Sequence, residues 1–285
     1  MKVSRIGIFS HILFQETICI LNEILSVKGP SSISYYVNPE LYDFILKSTP
    51  ELTKQVHRVT LEDMKVDCLI TIGGDGTILR AARSRPDIPI LSINKGRKGF
   101  MTEMEPDEIQ VSLKSFFDQK FNLEKHQRVE AFLNGVSIAS AINEIVITSV
   151  DLLKPIEFKV LIDDMVTSGT LADGLIISTA LGSTGHALSS GGPIVDPSLS
   201  IIELSWINPI SLAIRPVILA PFRKITIRCA TRVNLIKIVS DGQVSQEFTT
   251  PIELEFSLSD NTVSFFRSQK FMKRWRQHIH PEIRD

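Results

Sequence analysis

The sequence has no surplus of charge of either sign: 31 Lys and Arg stand against 32 Asp and Glu, a net charge of −1. Without a basic field, composition offers nothing to nucleic acid or to an anionic membrane, so a partner has to be recognised by a local site. Cysteine is scarce. Cys19, Cys68 and Cys229 lie far apart, which excludes a Cys-x-x-Cys metal knuckle, argues against a disulfide framework and makes a reducing cytoplasm the expected setting. No apolar run approaches the ~18 residues of a membrane-crossing helix, and the opening residues 1–9 have too short an apolar stretch for a signal peptide, so a soluble protein is expected. Catalytic signatures are missing too. No glycine-rich loop ends in the Lys-Ser/Thr of a P-loop, no Gly-x-Gly-x-x-Gly follows a strand, and Gly182-Ser183-Thr184-Gly185 does not have the spacing of a nucleophile elbow.

What is present is apolar sequence in quantity. At 285 residues and 43% apolar content, the chain is long enough for two domains and a substantial core. Strands are predicted over 6–9, 33–37, 66–72 and 88–94, separated by helical spacing at Ile18, Leu21, Ile24 and Leu25 and by a short helix opened by Pro39. This alternation implies a parallel sheet covered on both faces. After Pro106 and a short helix over 109–117 the pattern becomes strand-rich, with alternation at Phe158/Val160/Ile162 and Ile252/Leu254/Phe256. Turn signals fall at Asp163-Asp164, Asp241-Gly242 and Ser259-Asp260-Asn261. The basic segment 270–276, with Phe271, Met272 and Trp275 at near-helical spacing, reads as a terminal element docked by its apolar side.

The most informative stretch is residues 68–83, a buried strand that turns through Gly73-Gly74-Asp75-Gly76-Thr77 into a helix. Three glycines let a ligand approach the backbone, and a helix start offers unpaired N–H groups and a positive dipole end to an anion. Asp75 would repel a bare phosphate, so it points to a proton acceptor or a metal-linked role, and phosphoryl transfer to a hydroxyl fits both features. A tight turn whose aspartate caps the helix is the plainer alternative. The loop 94–100 falls after the next strand, where ligands of parallel sheets bind. Two further segments are candidates: Asn143-Glu144, set within apolar sequence, and Asp173-Gly174 followed by the small-residue run Gly182-Ser183-Thr184-Gly185-His186-Ala187-Leu188-Ser189-Ser190-Gly191-Gly192-Pro193, a surface suited to lie against a ligand.

In this order the segments resemble the NAD kinase family over residues 6–266. Gly-Gly-Asp-Gly-Thr is shared with lipid kinases and phosphofructokinases. Ile93-Asn94-x-Gly96-x-x-Gly99-Phe100, Asn143-Glu144, Asp173-Gly174-Leu175-Ile176, Gly182-Ser183-Thr184 and Ser190-Gly191-Gly192-Pro193 look like the NAD kinase pattern. The resemblance implies transfer of phosphate to the adenosine ribose 2′-hydroxyl of NAD, from ATP or inorganic polyphosphate, with a divalent metal, Mg²⁺ being expected. Carried over by position, Asp75 would stand beside the accepting hydroxyl. Gly74, Gly76 and Thr77 would shape the phosphate turn, and Phe100 would lie against the adenine. Asn143 and Thr184 would address its polar edge with Ser189 nearby, and Glu144 would hold the nicotinamide ribose. Asp173 would reach a neighbouring subunit's site, which implies a homodimer or homotetramer. The implied fold is an α/β domain over 1–110, completed by the tail 268–285, and a β-rich, sandwich-like domain over 111–267 that binds NAD and oligomerises. The chain departs from relatives at Gly185-His186, where they carry Ala-Tyr, and at Ala180, where they carry proline. A lipid kinase and a catalytically silent NAD(P)-binding regulator are the rival readings.

Overall fold

A computed structural model describes residues 3–11, 13–27, 29, 33–95, 99–151, 154–232 and 234–268. The chain divides into two units, 1–125 with 263–285, and 126–262. The division falls past the expected boundary at 110, because the helix Ile109–Phe117 buries Ile109, Leu113 and Phe116 in the first unit's core. Gly96, Lys98 and residues 269–285, including the expected terminal element, lie outside the described residues.

Among the described residues of the first unit, six strands pair in parallel. Their order is the end of Ile252–Arg267, then Ile90–Ile93, Cys68–Ile72, Arg5–Phe9, Ser34–Val37 and Val56–Arg58. Continuous apolar runs suit this sheet: Cys68–Ile72 and Ile90–Ile93 are buried at every residue. The helix Gln15–Ser26 contributes Ile18, Leu21 and Ile24 to the core, as its spacing predicts. Val56–Arg58 has no counterpart in the sequence reading. It is a short edge strand with two of three residues exposed, so no apolar pattern marks it.

The strand order fixes where a ligand can go. From Arg5–Phe9 the chain builds outward through Ser34–Val37 and Val56–Arg58, then returns to the other side of Arg5–Phe9 with Cys68–Ile72. The reversal lies between Arg5–Phe9 and Cys68–Ile72. Crossovers leave in opposite directions there, opening a crevice at the carboxyl ends of the two strands. Residues 10–11 and 73–74 leave those ends, the latter running into the helix Asp75–Ser84.

The second unit is built from two antiparallel sheets. One orders Met165–Ala172, Ile156–Ile162, Ile225–Ala230 and Ile252–Arg267, to which Asn122–Leu133 and Val136–Ala141 attach. The other orders Val217–Leu219, Ile202–Ile207, Gly174–Thr179, Glu144–Ser149, Leu235–Ser240 and Val244–Thr249. Every second residue points into a shared core: Phe158, Val160, Ile225, Ile227, Leu254 and Phe256 from the first sheet, Ile145, Ile147, Leu175, Ile177, Leu204 and Trp206 from the second. The Asp163-Asp164 and Asp241-Gly242 turns occur as expected, each pair with positive φ. Ser259-Asp260-Asn261 is not a turn. It lies inside the strand Ile252–Arg267, where the Ser259 hydroxyl takes up the Asn261 N–H and the chain stays extended.

Phe158 is fully buried and meets Trp206 edge to face, with ring centroids 5.7 Å apart. Phe158→Ala should therefore cost about 3–5 kcal/mol of the second unit's stability, read as a lowered urea midpoint. A change below about 1 kcal/mol would mean that the site collapses without leaving a cavity.

Candidate active site

The strand Cys68–Ile72 ends at Gly73, whose N–H donates to the Ile93 carbonyl at 3.0 Å. Gly73 takes φ 156°, and a β-carbon there would lie 2.2 Å from Thr77 Oγ1, so this glycine is required by the turn itself. Gly74 and Gly76 differ. A β-carbon on either meets nothing within 4 Å, so the protein's own packing does not demand them and the space before them is open to a ligand. The helix Asp75–Ser84 starts here, with Gly74 accepting from the Thr77 and Ile78 N–H groups at 2.9 and 3.3 Å.

Asp75 is held from outside its helix. Phe100 N–H donates to Oδ2 and Met101 N–H to Oδ1, both at 3.1 Å. Gly99 lets the loop come this close, because its β-carbon would stand 2.7 Å from Asp75 Oδ1. The two amides fix the direction of the carboxylate.

Arg80 and Lys95, unmarked in the sequence, bring positive charge close to His11 beside the turn. His11 Nδ1 is 3.2 Å from Thr77 Oγ1. Burial holds the His11 imidazole below its ordinary value, and the positive charges of Arg80 and Lys95 add to this. Lys95 reaches Thr17 Oγ1 at 2.8 Å and lies over the Phe14 ring. Phosphate oxygens at the helix start would meet N–H groups and positive charge together.

The second unit gathers the remaining candidates, with one exception. Asp241 turns its carboxylate back onto the N–H groups of Ile142, Asn143 and Glu144, at 3.0, 2.7 and 3.3 Å, and so fixes the entry to the strand Glu144–Ser149. Gly182 packs on this entry, where a β-carbon would be 2.1 Å from the Asn143 carbonyl oxygen. That contact brings the loop with Thr184, His186 and Ser189 alongside Asn143 and Glu144. The short helix His186–Ser189 buries Ala187 against Val146 and Ile176, leaving His186 and Ser189 exposed. Asn143 Oδ1 and Glu144 Oε2 are buried without a hydrogen-bond partner among the described residues. Such atoms cost about 1–3 kcal/mol each unless a ligand supplies the donor.

Asp173 stands apart. It precedes the strand Gly174–Thr179, whose far end, at Ser178, pairs with Glu144. At ~3.3 Å per residue the separation along the strand is roughly 17–20 Å. Its carboxylate accepts from Asn208 Nδ2 at 2.9 Å.

A glycine-lined helix start with a fixed carboxylate is the equipment of a phosphotransferase acting on a hydroxyl, and comparison with known proteins narrows the class. Residues 31–121 match the ATP-NAD kinase N-terminal domain, and residues 142–268 the ATP-NAD kinase C-terminal domain. The chain is 32% identical to the NAD kinase of Methanosphaera stadtmanae over 93% of its own length and 95% of that protein. It is 35% identical to the NAD kinase of Thermococcus kodakarensis over 73% of its length and 75% of that protein. The structure of an NAD kinase from Archaeoglobus fulgidus in complex with ATP aligns with a TM-score of 0.73 at 26% identity, covering 95% of this chain and 98% of that one. Yeast NADH kinase complexed with NADH shares the fold, with a TM-score of 0.86 at 21% identity, over 100% of this chain and 89% of that one. The chain belongs to the NAD kinase family.

Burial, with the nearby charge of Asp241, pushes the Glu144 carboxyl up to about 7, against a pull downward from the His186 N–H. With a reference value of 4.5 in the unfolded chain, the folded protein holds this proton more tightly. The contribution to stability is therefore fully present below pH 4.5 and is lost as pH rises through about 7. At alkaline pH the loss amounts to about 3 kcal/mol at most. Glu144→Gln should flatten the fall in urea midpoint between pH 5 and 8. An unchanged pH profile would show that Glu144 titrates normally.

Proposed function

We infer that the chain phosphorylates the adenosine ribose 2′-hydroxyl of NAD with ATP, giving NADP, and that Asp75 acts at the accepting hydroxyl. The observation that carries this reading is the Asp75 carboxylate fixed by two backbone N–H groups beside Gly74 and Gly76, whose open faces receive phosphate. The ribose oxygen attacks the γ-phosphorus in line, the bond to the β-phosphate oxygen breaks, and the hydroxyl proton passes to Asp75. Backbone amides at the helix start, with Thr77, His11, Arg80 and Lys95, stabilise the charge on the phosphates. Polyphosphate presents the same chemistry as ATP to this cradle.

In the second unit, Asn143 and Thr184 address the adenine edge, with Ser189 nearby, and Glu144 the nicotinamide ribose. The two buried oxygens without partners support this assignment. Phe100, in the first unit, is assigned to an adenine face, and His186, exposed on its short helix, offers a flat imidazole. Among the described residues no three His, Cys, Asp or Glu side chains gather as a metal cage. This donor set fits a Mg²⁺ delivered on the triphosphate, since that ion takes phosphate oxygens, waters and one or two carboxylates. When bound, Mg²⁺ neutralises charge on the transferring group. Among the described residues no helix is long and apolar enough to cross a membrane, and a cytoplasmic enzyme is the reading that goes with the cysteine pattern.

Incubation of the protein with NAD, ATP and Mg²⁺ should yield NADP, while a lipid acceptor should remain unphosphorylated. Tight NAD binding without turnover would select the silent regulator instead. Asp75→Asn should lower kcat by about 10²–10⁴-fold while NAD affinity stays within a few fold. Full turnover in this variant would remove Asp75 from the mechanism.

The distance of Asp173 from Glu144 supports an assembly in which Asp173 serves a neighbouring subunit. Asp173→Ala should weaken NAD binding. Mixing it with Asp75→Asn under subunit exchange should recover roughly a quarter of the parent rate at low NAD, since a mixed pair rebuilds one complete site. No recovery, or full activity in a sedimenting monomer, would exclude the shared site.

A further inference from the structure

Arg267 is buried inside the first unit, its side chain 4% exposed, although no partner for it is apparent in the sequence. The strand Ile252–Arg267 carries it there by pairing Phe265 with Ile90. Its Nη1 donates to the Met101 carbonyl at 2.8 Å, and the Ser92 hydroxyl donates to the same oxygen at 3.2 Å. The guanidinium lies 3.6 Å from Glu103 Oε2, 3.9 Å from Glu124 Oε2, and over the Phe265 ring at 4.9 Å. Glu103 is tied in turn: its Oε1 accepts from the Ser268 N–H at 3.0 Å and hydroxyl at 2.5 Å, and its N–H donates to Ser92 Oγ at 2.9 Å.

Met101 is thus gripped from both sides. Its carbonyl is fixed by Arg267, and its N–H, with that of Phe100, fixes the Asp75 carboxylate. Desolvating a guanidinium costs several kcal/mol, and packing alone would be better served by an apolar side chain. Burial pushes Arg267 down from its ordinary value, while Glu103, Glu124 and Asp75 push it up. Guanidinium stays charged throughout.

We propose that Arg267 is a positioning residue for phosphoryl transfer: through the Met101 carbonyl it holds residues 99–101 where their N–H groups aim the Asp75 carboxylate at the accepting hydroxyl. This inference rests on the reading of Asp75 given above. Lysine at this position keeps the charge but reaches the carbonyl as a flexible point donor instead of a planar fork, so the loop loses its fixed register.

The test is steady-state kinetics of the full chain with NAD, ATP and Mg²⁺ for Arg267→Lys, the charge-neutral pair Glu103→Gln/Arg267→Met, Asp75→Asn, and Asp75→Asn/Arg267→Lys, with thermal melting of each. The pair removes the two fully buried charges together and leaves Glu124, whose side chain is 29% exposed, in reach of water. Arg267→Lys and the pair should lower kcat by about tenfold or more and leave KM for NAD and ATP within about twofold, because a small misplacement of a reacting group slows chemistry more than binding. In the Asp75→Asn background Arg267→Lys should cause no further loss, since there is no carboxylate left to aim. Parent kcat in either Arg267 variant would overturn the proposal. So would a loss of equal size with Asp75 already replaced, or a rise in KM that matches the fall in kcat. If Asp75→Asn itself turns over normally, the reading of Asp75 fails and the inference falls with it. If Asp75→Asn is inactive while the Arg267 variants are normal, the inference alone is wrong.

Discussion

One interaction recurs at three places in this chain: an aspartate carboxylate accepting backbone N–H groups from a distant segment. Asp67 takes the N–H groups of Ser4 and Arg5, both at 2.9 Å, and with the Arg5 side chain beside it titrates at about 2 despite the opposing cost of burial. Asp75 takes Phe100 and Met101, and Asp241 takes Ile142, Asn143 and Glu144. Charge-assisted bonds to N–H groups are about twice as strong as neutral ones, and amides carry no side-chain entropy to be lost. Such a carboxylate fixes the entry to a strand, as at Arg5 and Glu144, or a loop, as at Phe100 and Met101.

Glu144 and Glu203 of the second unit are treated in the opposite way. Glu144 is raised to about 7, and Glu203, fully buried beside Ser205 Oγ at 2.6 Å, is also pushed up by burial, with the hydroxyls of Ser205 and Ser178 pulling against it. Few amides reach them, so desolvation outweighs hydrogen bonding. Near neutral pH Asp67 is an anionic anchor, while Glu144 is poised to change charge with its surroundings.

How much of this was legible depends on sequence distance. The glycine turn, the helix after it and the parallel strands declare themselves locally, because each is a run of residues whose types satisfy their own backbone. The alternation of Phe158 and Val160, or of Leu254 and Phe256, declares a sheet face for the same reason. Partners from remote segments do not: Thr77 and His11 are separated by 66 positions, Asn143 and Asp241 by 98, Met101 and Arg267 by 166. Asp241-Gly242 was readable as a turn, but nothing in that dipeptide says which amides its carboxylate will meet. The turn expected at Ser259-Asp260-Asn261 failed because strand pairing on either side outweighed local turn preference.

The strand Ile252–Arg267 gives the first unit its outermost parallel strand only after the whole of residues 126–262 has intervened. On a growing chain, the sheet from Arg5–Phe9 to Ile90–Ile93 is present early, yet Ile90–Ile93 remains an open edge and the Met101 carbonyl lacks its guanidinium until residues 263–267 are made. A chain cut before residue 263 would leave Ile90–Ile93 exposed to edge-to-edge association, and the Met101 carbonyl meets its guanidinium only across the 166 positions that separate it from Arg267.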